Sequence, residues 1–290
     1  SIFLLLALAA CGAAYYCVFS SNTSPAIIYV PQNCSVEQLY DSLRSHACVH
    51  NMGTVRLVAK LKRYASGTVR PGRYEVRKGM NNNQLINMFR GGLQQPISFT
   101  FNNVRSVEEL AEKASSQFNF TKEEFMAAVN DSATQAELGF DAHTISALFL
   151  PNTYEMYWST SPLNFLKRMK REYDRFWNGR RLEKAQKLGL SPVEVTTLAS
   201  IVEEETAKAE EYPVIAGVYI NRLKRGMKLD ACPTIKYALG DFTITRVLDK
   251  HMDIDSPYNT YKHAGLPPGP IRIASIQVVD AVLNCQHHDY

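Results

Sequence analysis

The chain lacks the spacings by which cysteine and histidine hold a metal. Its 290 residues include six cysteines and seven histidines, yet no C-x-x-C or H-E-x-x-H pattern occurs, and His287-His288 stand as neighbours beside the chain end. No metal site and no cofactor are expected. An excess of one charge is also missing: 32 Lys and Arg against 28 Asp and Glu leave +4, too mild to imply nucleic acid. Disorder is excluded by a hydrophobic content of 46%, and the length suffices for two folded units.

Charge is wholly absent from Ile2 to Phe19. About eighteen apolar or small residues at 1.5 Å rise nearly cross a bilayer core, so residues 1–20 read as a transmembrane helix. Leu8-Ala9-Ala10-Cys11 has the look of a lipidation site, but apolar sequence runs on through Tyr15, Tyr16 and Val18, where a cleaved lipoprotein turns polar. Either reading places the remainder outside the cytoplasm. In that oxidising compartment Cys34 and Cys48, which bracket a short helix, are candidates to pair.

After a polar joint at Ser20 to Pro25, residues 26–93 read as a small domain of strand, helix, helix, strand and helix. The strands are Ala26 to Val30 and Arg73 to Arg77, and Gly91-Gly92 stops the last helix. From Pro96 a second unit begins with a strand, Ile97 to Phe101, and helices opened by Ser106/Glu109 and Thr121/Glu124 capping boxes. Phe149 to Tyr157 has Pro-Asn turn chemistry among aromatics, and Pro162 opens a long helix. The fold class expected is α+β.

The stretch Ser191 to Gly226 organises this second unit. Ser191 and Glu194 form a capping box with Pro192 at the first helical position. Val195, Leu198, Ala199, Ile201 and Val202 then make one stripe, which puts Glu205 at roughly 50° from the stripe centre, Glu203 at roughly 110° and Glu204 at roughly 150°. The wheel turns Glu205 inward and Glu204 to solvent. A carboxyl held against apolar surface has its pKa raised and suits a general acid; the plain alternative is a solvated helix end.

Polar and aromatic residues on rigid loops complete the candidate site. Asn152, Tyr154 and Glu155 stand in the aromatic Pro-Asn stretch, Asn221 and Arg222 near the end of the next helix, and Thr234, Tyr237, Tyr258, Asn259, Thr260 and Tyr261 in the loops beyond. Such alternation suits a sugar-binding groove, with flat faces for pyranose rings and amides or hydroxyls for their substituents. A turn-rich surface, and tyrosines buried in a core with satisfied hydroxyls, would read the same way.

Five ordered segments carry a resemblance. Leu198 to Thr206, Tyr219-Ile220-Asn221-Arg222-Leu223, Pro233-Thr234-Ile235-Lys236-Tyr237, Tyr258-Asn259-Thr260-Tyr261 and Gly265 to Ile271 together resemble the MltG (YceG-like) family of endolytic murein transglycosylases. The resemblance implies an N-terminal span, a LysM-like domain at 26–93 and a mixed α+β catalytic domain at 94–290. It implies an inner-membrane enzyme with its catalytic domain in the periplasm or outside the cell, and peptidoglycan strands and cell wall synthesis enzymes as partners. It also implies cleavage of the β-1,4 bond between N-acetylmuramic acid and N-acetylglucosamine in nascent strands, leaving 1,6-anhydromuramic ends. Glu205 falls on the catalytic glutamate of the family's E-x-E-T pattern.

Two features depart from the family. Ser146-Ala147 and Asn152 stand where members commonly have Glu-Gly and Asp. Members also usually continue past the point matching Tyr290 with a strand-rich segment, which implies a C-terminally truncated catalytic domain. A muramidase-type hydrolase and a non-catalytic glycan-binding scaffold are the alternative functions.

Overall fold

Helix α1 (Ile2–Phe19) opens the computed structural model, which describes residues 2–286. His287 and His288, weighed above for metal binding, lie outside the described residues. The N-terminal run is helical, but the transmembrane assignment does not hold: among the described residues no helix is long and apolar enough to cross a membrane. The final turn is moreover built into protein. The Cys17 carbonyl accepts a hydrogen bond from Asn82 Nδ2 at 2.6 Å, and Val18 packs on the core of the unit that follows.

That unit holds the residues up to Phe99 with Gln117–Asn119 and Glu155–Thr160. Strand β1 (Ala26–Val30) alternates as a half-buried strand should, with Ile28 and Val30 inside and Ile27 and Tyr29 outside. It pairs antiparallel with β2 (Gly72–Val76), Ile28 opposite Tyr74. Between them run α2 (Val36–Ser45) and α3 (Met52–Leu61), and α4 (Asn82–Gly91) follows. Leu39, Leu43, Val55, Val58, Leu85 and Phe89 fill the space they enclose. The reciprocal Ser35/Gln38 and Asn81/Gln84 caps satisfy the first turns of α2 and α4.

Cys34 and Cys48 do not pair. Both are buried free thiols, each donating weakly to a main-chain carbonyl, Cys34 to Ser35 and Cys48 to Leu43. They behave as small core hydrophobes, and burial pushes both thiols up from their ordinary pKa.

A buried amide cluster joins α1 to this unit. Asn22 Nδ2 donates to Asn82 Oδ1 at 2.7 Å, its Oδ1 accepts from the Asn51 amide at 2.7 Å, and Asn82 Nδ2 also reaches Thr54 Oγ1 at 2.9 Å.

Strand β3 (Pro96–Phe101) pairs with β4 (Asn152–Tyr157) in a second sheet whose strands supply residues to both units. Between them lie α5 (Val107–Ser115), α6 (Lys122–Asn130) and α7 (Ser132–Leu138). The Pro151-Asn152 pair expected to be a turn therefore opens a strand. Helix α8 (Pro162–Phe176) is capped by Ser161 and buries Phe165, Leu166, Met169, Tyr173 and Phe176, one face of a 3.6-residue repeat. Phe165 meets Phe125 edge to face at 5.2 Å. Helices α9 (Gly179–Leu188), α10 (Pro192–Glu205), α11 (Tyr212–Lys224), α12 (Cys232–Leu239), α13 (Asp249–Met252) and α14 (Ile276–Leu283) complete the second unit. Mixed α+β architecture is what the sequence implies; the membrane span is the part corrected.

Replacing Asn82 with Ala removes the donor to the Cys17 carbonyl and one of the acceptors of Asn22 Nδ2, which keeps the Asn51 carbonyl and the Thr54 hydroxyl. We expect a loss of roughly 1–3 kcal/mol, read as a lower urea midpoint with unchanged slope; an unchanged midpoint would remove the cluster from any structural role.

Candidate active site at the end of a buried helix

Helix α10 starts where the sequence says it should. The Ser191 amide donates to Glu194 Oε2 at 2.7 Å and the Glu194 amide to Ser191 Oγ at 3.3 Å. Every residue from Val195 to Val202 is buried, the polar Thr196, Thr197 and Ser200 included. The two threonine hydroxyls fold back on the carbonyls of Pro192 and Val193, both at 2.9 Å, and so cost nothing inside. Ser200 does more. Its hydroxyl donates to the Thr197 carbonyl at 2.7 Å and accepts the Ile271 amide at 3.0 Å, fixing the Gly265 to Ile271 loop to the helix. Gly269 brings that loop so close to His143 that a Cβ would overlap the His143 carbonyl oxygen.

Because α10 is enclosed on all sides, a wheel centred on its apolar stripe misplaces the three glutamates. Glu204, expected in solvent, is 13% exposed and Glu203 10%. Arg272 contacts both, with Nε 3.3 Å from Glu203 and Nη1 2.8 Å from Glu204, while Arg105 Nη2 lies 3.0 Å from the other Glu204 oxygen. Glu203 also accepts the Ser275 amide at 3.0 Å, at the N-terminus of α14, where a negative charge is favoured. Both carboxyl groups are taken up by these contacts.

Glu205, the last helical residue, expected to turn inward, is instead exposed. Protein around its carboxyl still raises the pKa above the ordinary value through burial; a hydrogen bond from Tyr219 and the Lys236 ammonium pull against that rise. Tyr219 is buried, and burial with the Glu205 charge pushes its phenol upward, so it stays a proton donor. Tyr261 belongs to the same neighbourhood. Its hydroxyl lies 3.1 Å from Cys232 Sγ, and burial, Cys232, Asp230 and Glu205 together raise its pKa. Helices α10, α11 and α12 and the Tyr258 to Tyr261 loop thus converge on one carboxyl.

The other expected residues divide by what they touch. Thr234, Asn259 and Thr260 are buried and hold loops: Thr234 and Thr260 hydroxyls meet at 2.9 Å, Thr260 takes the Ala231 amide at 3.0 Å, and Asn259 Nδ2 donates to Met252 and Ile254 carbonyls, both at 2.8 Å. Arg222 clamps the next loop through the Lys228 carbonyl at 2.9 Å and Asp230 at 2.8 Å. Asn221 lies beside it on α11, half-buried. Tyr237 and Tyr258 pack ring to ring at 4.6 Å, with the Tyr258 hydroxyl 3.3 Å from His143 Nδ1. On β4, Tyr154 is a core residue, stacked on Phe101 at 5.7 Å with its hydroxyl donating to Leu150, whereas Asn152 and Glu155 are exposed.

Sequence reasoning leaves out Tyr219, Lys236, Arg105 and Arg272. Tyr219 and Lys236 do lie inside the segments singled out above, each beside a residue chosen as a ligand; two conspicuous amides and rings drew the choice away from a single phenol and a single ammonium. Nothing local marks Arg105 and Arg272, because their partners are about 70 to 100 positions distant.

Substituting Gly269 with Ala forces the loop off His143 and loosens the Ser200 bond. A cost of about 1–3 kcal/mol is expected, measured as a depressed melting temperature; wild-type melting would show that the loop tolerates a methyl group.

Residues 28–290 match the YceG-like family. An endolytic murein transglycosylase of Bacillus subtilis strain 168 is 28% identical over 279 residues, covering 91% of this chain and 76% of that protein. One of Streptococcus pneumoniae strain D39 is 27% identical over 285 residues, 88% of this chain and 51% of that protein, so the chain spans about half the length of this relative. In fold, a YceG-like protein of Listeria monocytogenes, solved by crystallography, matches with a TM-score of 0.59 at 23% identity over 92% of each chain. With nearly its whole length matched, the chain belongs to the YceG-like family.

Proposed function

We propose that the chain is an endolytic lytic transglycosylase of peptidoglycan, the activity its curated relatives are named for, with Glu205 as its acid. The supporting observation is the raised pKa of Glu205 beside the buried Tyr219 donor. The protonated carboxyl gives its proton to the glycosidic oxygen as the bond from muramic C1 to that oxygen breaks, freeing the 4-hydroxyl of N-acetylglucosamine. The carboxylate so formed then takes the proton of the muramic 6-hydroxyl while that oxygen bonds to C1. Atoms balance without water, and the product is the 1,6-anhydro sugar.

The opposing influences on Glu205 suit this double duty. Burial favours the acid before the bond breaks; the Tyr219 hydroxyl and Lys236 charge favour the carboxylate after it. An ordinary glycoside hydrolase needs a second carboxylate to activate water or form a covalent intermediate. Glu203 is taken up by Arg272 and Ser275, and Asp230 by Arg222 at 2.8 Å. The preference for internal attack by the 6-hydroxyl follows.

In this reading Tyr237 and Tyr261 offer ring surface to the glycan and Asn221 an amide, while Thr234, Tyr258, Asn259, Thr260 and Arg222 hold the loops that carry them. The strand, helix, helix, strand order of the first unit supports a LysM-like hold on the same polymer. Its substrate puts the enzyme outside the cytoplasm, in the periplasm or at the cell exterior.

Glu205→Gln is expected to cut turnover of isolated glycan strands by about 10²–10⁴-fold without altering melting, and mass spectrometry of wild-type digests should find anhydro ends. Reducing ends would replace the transglycosylase by a hydrolase, and strand binding without fragments would leave a scaffold. Asp230→Asn, at a residue with φ of 54° that asparagine also adopts, should retain the anhydro product.

The pH dependence has a fixed sign. The active form is protonated Glu205, so kcat/KM falls as pH rises through its elevated pKa. Lys236→Met removes a downward pull and should shift that falling limb to higher pH; a shift to lower pH would contradict the assignment of the acid.

A further inference from the structure

The second unit contains a cavity of about 460 Å³ lined by Arg105 and Arg272, the partners of Glu204, inside the ~300–1,000 Å³ span of small-ligand pockets. Its floor is apolar, from Val129, Ile145 and Ile271, all buried. The wall is aromatic. Tyr237 packs against Tyr258 at 4.6 Å and meets Phe242 edge to face at 6.5 Å, and Phe242 remains 39% exposed. The Arg105 guanidinium lies over Phe242, 4.3 Å from the ring centre, and is anchored there by Glu204.

Charge limits what fits. The guanidinium groups of Arg105 and Arg272, both lining the cavity, are met by the carboxylates of Glu203 and Glu204, and the exposed Glu108 adds a third carboxylate to the lining that turns an anion away. An anion gains little from cations already matched, and a cation would meet them. What the lining offers is a flat ring surface, a greasy floor, and guanidinium N–H donors in excess of the carboxylate contacts, since each guanidinium carries five. Asn130 adds an amide at the rim. An uncharged, amphipathic ring bearing an acetamido group suits it: the sugar face on the aromatic wall, the acetyl methyl on the floor, and the carbonyl and hydroxyls toward Arg105 and Asn130.

The position ties this cavity to the acid. Tyr237 follows Lys236, whose ammonium acts on Glu205, and Glu204, which holds Arg105 and Arg272, precedes Glu205. We propose that the cavity is a subsite for an N-acetylhexosamine unit of the strand beyond the bond that is cut. It rests on the glycan reading above and adds that strand length is sensed here.

The test titrates the chain with the tetrasaccharide of β-1,4-linked N-acetylglucosamine and measures kcat/KM on long and short peptidoglycan strands. Phe242→Ala and Asn130→Ala each alter a side chain at the cavity edge, so two independent variants probe it, with circular dichroism to confirm folding. The expected result is a roughly tenfold weaker binding of the tetrasaccharide and a similar fall in the ratio of long-strand to short-strand kcat/KM. If the parent cleaves strands and both folded variants keep its affinity and length ratio, or if the parent fails to bind the tetrasaccharide, the subsite is wrong and the enzyme stands. If the parent binds the tetrasaccharide, the variants lose it, and no variant or parent releases anhydro ends, the subsite stands and the enzyme reading falls.

Discussion

Two arginines against two glutamates decide what the last turn of α10 can do. Removing one member of a mostly buried ion pair leaves an uncompensated charge, at a cost of about 3–5 kcal/mol, so Arg272 and Arg105 hold the Glu203 and Glu204 side chains in place. The same contacts tie three distant parts of the chain together. Arg105 precedes α5, its carbonyl accepts the Ile273 amide at 2.9 Å, and Arg272 follows the loop pinned by Ser200. Glu205 is then the member of the run whose hydrogen-bond donor is a neutral phenol. A carboxyl in that setting is the one able to change its proton.

Features written in neighbouring residues were the legible ones. Ser191 with Glu194, Ser35 with Gln38 and Thr121 with Glu124 form reciprocal caps because both partners lie within four residues. Ser106 and Glu109 show how narrowly such a pattern can miss: the Glu109 amide reaches Ser106, but the Glu109 carboxylate takes the Arg105 amide at 2.8 Å instead of the cap. Strand β4 is harder to see, since its pairing with β3 brings together segments about fifty residues apart, and Pro151-Asn152 carries a turn's local chemistry. Apolarity of the N-terminal run speaks to burial and not to its partner, which is how Cys17 and Val18 come to rest on protein.

The helical wheel fails at Glu203 to Glu205 for a related reason. A wheel separates a wet face from a dry one, and α10 has no wet face over Val195 to Val202. At its end, exposure is set by which neighbour stops short. Here α14 and Arg272 cover Glu203 and Glu204, and the space beside Glu205 is left open. The inward placement of Glu205 does not hold: the residue is exposed, and its carboxyl is perturbed by the protein that remains around it.

That half-open setting has a chemical consequence of its own. A fully buried carboxyl would hold its proton but could not meet a polymer, and a fully exposed one would meet the polymer already ionised at neutral pH. Glu205 lies between these limits, and a strand laid over it would expel the remaining water from its open side. Desolvation would act in the same direction as the burial already present, so in the proposed reaction binding would raise the pKa of Glu205 before the bond breaks. Tyr219 and Lys236, which pull the Glu205 pKa down, are in place to steady the carboxylate that the proposed proton transfer would leave.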